Sequence, residues 1–170
     1  MKLSRFFDEL SSTYAYELED LTYDSGGDDV LKKRLSEKRD QFEGLLVMCA
    51  TDPAMVAPAL HGGFRFEDTS LIDRVVSANP GEFPAWAEVA ATLCIEPWAD
   101  ALIKRALKQP DGEEFLLVAA GLEYILGKLG AAAASGAGEP EDHQDDDDGD
   151  EDLGDAGEDW LGDQGFDRRS

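Results

Sequence analysis

Apolar residues recur at helical spacing from the start of the chain. Leu3, Phe6, Phe7, Leu10, Tyr14, Leu18 and Leu21 fall three or four positions apart, which lines one face of a helix. Asp24-Ser25-Gly26-Gly27 breaks the pattern. A second helix, capped by Asp28 or Asp29, carries Leu31, Leu35, Phe42, Leu45, Leu46 and Cys49 on its core stripe. Lys32, Lys33, Glu37, Lys38 and Asp40 suit its solvent face. Pro53 opens a short helix through Leu60, and His61-Gly62-Gly63 ends it.

From Asp68 the chain predicts a series of short helices. Asp68 or Thr69 caps Leu71, Ile72, Val75 and Val76, and Asn79-Pro80-Gly81 forms a turn. Pro84 and Pro97 fit first helical turns, where a missing N–H costs nothing. The helices they open carry Trp86, Val89, Ala90 and Leu93, and then Trp98, Leu102, Ile103 and Leu107. After Pro110-Asp111-Gly112, a last helix presents Phe115, Val118, Leu122, Ile125, Leu126 and Leu129, and Gly130 is placed to end it. Strand alternation is confined to Phe64-Arg65-Phe66.

Two segments repeat. Leu71-Ile72-Asp73-Arg74 followed by Glu82-Phe83 matches Leu102-Ile103-Lys104-Arg105 followed by Glu114-Phe115. The offset of about 31 residues lies in the range of stacked helical hairpins. Over residues 71–129 the pattern resembles the HEAT-like α-hairpin repeats. That resemblance implies an irregular stack of hairpins with Phe83 and Phe115 on equivalent helices. The expected fold is therefore all-α over residues 1–130, followed by a small-residue linker at 131–138 and an acidic tail at 139–170.

Charge divides the chain in the same place. The net charge is −23, and more than half of it falls after Gly136. Four consecutive aspartates occupy 145–148, and so polar a segment cannot bury enough apolar surface to offset ordering entropy. The tail is expected to be disordered. Leu153, Trp160, Leu161 and Phe166 nevertheless sit among its acids. Exposed aromatics are liabilities in a purely solubilising tail. Trp160, Leu161 and Phe166 are therefore the candidate protein-binding residues.

Such a charge disfavours nucleic acid and anionic membrane surfaces and favours a basic protein. No run reaches the roughly 18 consecutive apolar residues of a membrane span, and the N-terminus turns acidic too early for a secretory signal. A cytoplasmic location is expected. Cys49 and Cys94 sit in apolar patterns, as core thiols do.

Candidate chemistry is sparse. His61-Gly62-Gly63 resembles an esterase oxyanion turn, but no G-x-S-x-G elbow accompanies it. His143 lies in the acidic run without a partner. Residues 121–128 superficially suggest a phosphate loop, yet the glycine spacing is wrong and the segment lies inside a helix. A calcium loop centred on Gly149 would put Gln144 and Asp155 at its first and last ligand positions, where an Asp and a Glu belong. Glu17, Asp20 and Asp24 share a helical face that reads as solvated. Trp86 and Trp98 read as packing residues. No cofactor, metal or catalytic residue is assigned. The expected function is a non-enzymatic binding module for a basic protein: an immunity- or antitoxin-like inhibitor, a secretion chaperone or a regulator. The alternative is a nucleic-acid mimic that occupies a nucleic-acid-binding protein. An enzyme with an unrecognised site ranks last.

Overall fold

The computed structural model describes residues 1–22 and 28–136. These are mostly helical. In chain order they form α1 (Arg5–Thr22), α2 (Asp28–Asp40), α3 (Phe42–Leu45), α4 (Pro53–Val56), β1 (Phe64–Phe66), α5 (Ser70–Ser77), α6 (Trp86–Ala90), β2 (Leu93–Ile95), α7 (Pro97–Ala106) and α8 (Gly112–Gly136). Tight 3-10 turns follow α3 at Leu46–Met48 and α4 at Ala57–Leu60. The expected disordered tail, with Trp160, Leu161, Phe166, His143 and the calcium-loop positions, lies outside the described residues.

The predicted faces are found largely as the spacing places them. On α1, Phe7, Tyr14 and Leu18 are buried, while Leu3, Phe6, Leu10 and Leu21 pack on the same core half-buried. Ser4 caps this helix. Its hydroxyl accepts the Phe7 N–H at 3.3 Å, and its own N–H donates to Val76 O at 2.9 Å, which ties the start of α1 to the end of α5.

Helix α8 is the axis of the fold. From Phe115 to Leu122 every residue is buried, and α1, α4, α5, α6, α7, β1 and the 57–60 turn all pack against it. Close approach needs a missing side chain. A Cβ on Gly121 would lie 2.6 Å from the Phe7 ring and 3.2 Å from Val76. Gly112–Ser135 is apolar and long enough to cross a membrane by length and composition, but 56% of that window is buried inside the fold, as in a core helix.

Five expectations are corrected. The second predicted helix is broken at Gln41 and again at Leu46. Leu93, assigned to the helix of Trp86, instead starts β2, which pairs antiparallel with β1 through Phe64↔Ile95, Arg65↔Cys94 and Phe66↔Leu93. The ladder satisfies the backbone of a stretch too close to Pro97 to continue a helix. Gly130 does not end α8, which runs on to Gly136. Its alanines are the strongest helix formers and carry the helix into the predicted linker. Leu129, on that extension, is 56% exposed rather than core.

The fifth correction concerns the repeat. Phe115 lies on α8, but Phe83 lies in the non-helical connection between α5 and α6. Pro84 disfavours helical backbone at the residue before it. Leu71 is half-buried where Leu102 is buried. The two segments are thus not equivalent, and the elements surround one central helix instead of stacking as hairpins.

One consequence is measurable. Gly121→Val must push branched methyls into the Phe7–Val76 contact. It should cost about 1–3 kcal/mol, read as a lower urea midpoint with unchanged slope. A neutral midpoint would show that α1 and α5 do not close on α8 as tightly as described.

Candidate functional site

The one acid in the apolar centre of α8 is Glu123. The axis of α8 points it at two segments far away in sequence. Both of its oxygens are engaged. Oε2 accepts the Tyr14 hydroxyl at 2.7 Å and meets His61 Nδ1 at 2.8 Å. Oε1 accepts the Gly62 backbone N–H at 2.9 Å. The Glu123 side chain is 13% exposed and that of His61 27%.

The 61–63 turn is built for this contact. Gly62 has φ +78°, a conformation that side-chain-bearing residues rarely adopt, and it turns its N–H toward the carboxylate. Gly63 follows in a tight space, where a Cβ would lie 2.8 Å from that of Ala99 and 2.9 Å from Leu60 O. From the other side Arg39 holds the same turn. Its Nε donates to Ala59 O and its Nη2 to His61 O, both at 3.0 Å. The guanidinium lies 3.8 Å over the Trp98 ring. Trp98 is thus half a lid for Arg39, whereas Trp86 is buried against Phe64.

The electrostatics follow from these bonds. Burial alone pushes the Glu123 carboxyl up. The hydrogen bond and charge of His61, then Tyr14 and Gly62, outweigh it and hold the group below the ordinary glutamate value. Tyr14 moves the opposite way. Burial first, then the Glu123 charge and hydrogen bond, raise its phenol well above the usual range. Burial lowers the Arg39 guanidinium.

This arrangement can orient an imidazole. Nδ1 faces Glu123, and Nε2 has no hydrogen-bond partner among the described residues. Triad chemistry also needs a nucleophile on that ring, and among the described residues no hydroxyl or thiol bonds to His61. General acid–base work by a carboxyl favours a raised value, and Glu123 is held low. Its evident action is mechanical: one carboxylate joins α1, α8 and the 61–63 turn.

The other positions singled out in the sequence are scattered. Glu17 is half-buried and Asp20 exposed on α1, and Asp24 lies outside the described residues. Residues 121–128 are continuous helix. Cys49 is buried, and Cys94 is half-buried on β2, where Arg65 Nη2 donates to its sulfur at 3.2 Å. Among the described residues no three His, Cys, Asp or Glu side chains gather as a metal site. Glu123 was not singled out from the sequence. Its signal was there, as a lone acid between Leu122 and Tyr124 in an apolar helix.

Two measurements test the site. Glu123→Gln removes the charge behind three hydrogen bonds and should cost about 1.5–3 kcal/mol in urea unfolding. The pH dependence has a sign at each end. Because folding lowers the Glu123 value, its contribution is full at neutral pH. It is lost as pH falls below the ordinary glutamate range. Because folding raises the Tyr14 value, its contribution is full below the ordinary tyrosine value and is lost as pH climbs above it. Tyr14→Phe should flatten the alkaline limb of a stability–pH curve, and Glu123→Gln the acid limb. Unchanged limbs would refute the coupling. Compared with family models, with curated proteins and with solved structures, the chain matches none.

Proposed function

We propose that this chain is a non-enzymatic binding module whose partner is a basic protein, in the manner of an immunity- or antitoxin-like inhibitor, a secretion chaperone or an acidic regulator. The observation that carries the reading is how the body uses its charges. Apart from Glu123, the acidic residues whose burial is described lie at least partly open to solvent. Two cations, by contrast, are engaged by backbone oxygens. Arg39 serves Ala59 and His61, and Lys38 donates to Met55 O at 3.0 Å. The carboxylates therefore face solvent less compensated than composition alone requires. Such a field speeds association with a cationic surface and excludes acidic competitors.

The polar cluster supports the same reading. Three hydrogen bonds engage both Glu123 oxygens, which supports a structural part for the most buried carboxylate. In the tail, Trp160, Leu161 and Phe166 are proposed as a second, linear contact whose ordering on binding limits affinity.

Affinity purification with the full chain tests both parts, with mass spectrometry of what is retained. The expected partner is a protein of high isoelectric point that salt elutes. The double substitution Trp160→Ala and Phe166→Ala should retain less of it, with an unchanged thermal transition. Recovery of acidic proteins that resist salt would overturn the reading. A retained protein that oligonucleotides displace would favour the nucleic-acid mimic instead.

A further inference from the structure

Where α8 begins, the surface is hollowed on both sides of a short acidic ridge. On one side lies a cavity of about 160 Å³, with Phe6, Leu10, Phe115 and Val118 at its base and Ala50 and Thr51 at its rim. On the other lies a broader hollow of about 440 Å³ against Phe83, Pro84 and Leu117. Asp111 and Glu114 line both hollows, and Glu113 lines the larger. The floors adjoin, since the Phe6 and Phe83 rings lie 6.4 Å apart.

Helix chemistry explains part of this ridge. Glu113 and Glu114 occupy the first turn of α8, where the helix dipole favours negative charge. The dipole does not explain the apolar floor. Phe6, Leu10 and Phe83 stay half-buried between the carboxylates. Nor do the carboxylates find partners. Asp111, Glu113 and Glu114 are exposed, and among the described residues their side chains form no ion pair or hydrogen bond. Burial first, and then the Asp111 charge, raises the thiol of Cys49, which also lines the smaller cavity.

We propose that this groove takes a basic segment of the partner in which cationic and apolar side chains alternate. The smaller cavity suits one arginine or lysine. Its methylene stem lies on Phe6 and Leu10, and its charged head reaches Asp111 and Glu114 at the rim. The neighbouring apolar side chain of the partner settles against Phe83 and Leu117. Charge complementarity selects this occupant. The chain's own C-terminal segment is acidic, nucleic acid presents phosphates, and a second copy carries the same net charge of −23. All three are repelled at the ridge. The assignment rests on the basic-partner reading and locates where that partner docks.

The test uses the full chain and a fluorescein-labelled peptide alternating arginine and leucine, followed by fluorescence anisotropy. One control peptide replaces the arginines with glutamate and another replaces the leucines with serine. The alternating peptide should bind more tightly than both. Asp111→Asn with Glu114→Gln removes both charges at nearly unchanged side-chain shape and should weaken binding about tenfold. Ala50→Trp fills the smaller cavity without changing charge and should weaken it comparably. Thr51→Tyr at the exposed rim serves if Ala50→Trp does not fold. Equal binding by all variants overturns the proposal. So does a serine control that binds as well as the alternating peptide, because attraction would then need no apolar floor. A dimer in sedimentation that the charge variants dissolve would make a second copy the occupant, which also overturns it. The two readings fail separately. If the groove variants still capture the basic protein recovered by affinity purification as the wild type does, the docking site is wrong and the basic partner stands. If the wild type binds neither the peptide nor any basic protein, both are wrong.

Discussion

The burial of residues 115–122 of α8 on all sides is the constraint on which the other elements depend. A helix apolar around its whole circumference must be covered from every direction. The chain supplies that cover with elements too short to stand alone. α3 and α4 have four residues each and α6 has five, and isolated helices of such length are unstable in water. They persist because each buries a face on the same axis or on its neighbours. A central axis also explains the absence of repeat geometry in residues 71–129. Hairpins that stack on one another need equivalent faces, whereas elements that surround one helix each meet a different face of it.

Placing Glu123 on that axis creates a cost that the surrounding structure must offset. A buried carboxylate is tolerated when donors saturate it. Here the donors come from α1, from a histidine and from a glycine N–H in a turn. The turn in turn depends on Gly62 with its positive φ, on Gly63 against Ala99, and on Arg39 behind it. The cost of one charge is thus converted into specificity. The carboxylate is satisfied by α1 and the 61–63 turn together.

Carbonyl-bonded cations and solvent-facing acids are linked aspects of this surface. Arg39 and Lys38 hold the 55–61 segment by its carbonyls. These two cations are bonded to carbonyls and, among the described residues, pair with no carboxylate. The surface that remains is rich in unpaired carboxylate, and at the start of α8 it borders apolar side chains that the core leaves half-covered. Charge sets the sign of what can approach, and apolar contact decides what stays.

The spacing of apolar residues was sufficient to place the faces of α1, α5 and the buried part of α8, because periodicity records directly which side of a helix avoids water; on α7 it placed Leu102 and Ile103 but not Trp98 and Leu107, which are exposed. Composition likewise sufficed for the sign of the surface. Other features depended on contacts that no local window contains. Leu93 continues a helical pattern on paper, yet it became a strand because Phe66 lies opposite it, 27 positions earlier in the chain. Residues 131–136 read as a linker from their small side chains, yet a helix already running upstream extends through alanine at little cost. Glu123 stood out only as an anomaly in an apolar run. Its role required Tyr14 and His61, which lie 109 and 62 residues away and meet it only when α1 and the 61–63 turn close on α8. Sequence periodicity fixes which face of an element turns inward, and tertiary packing alone decides which faces meet.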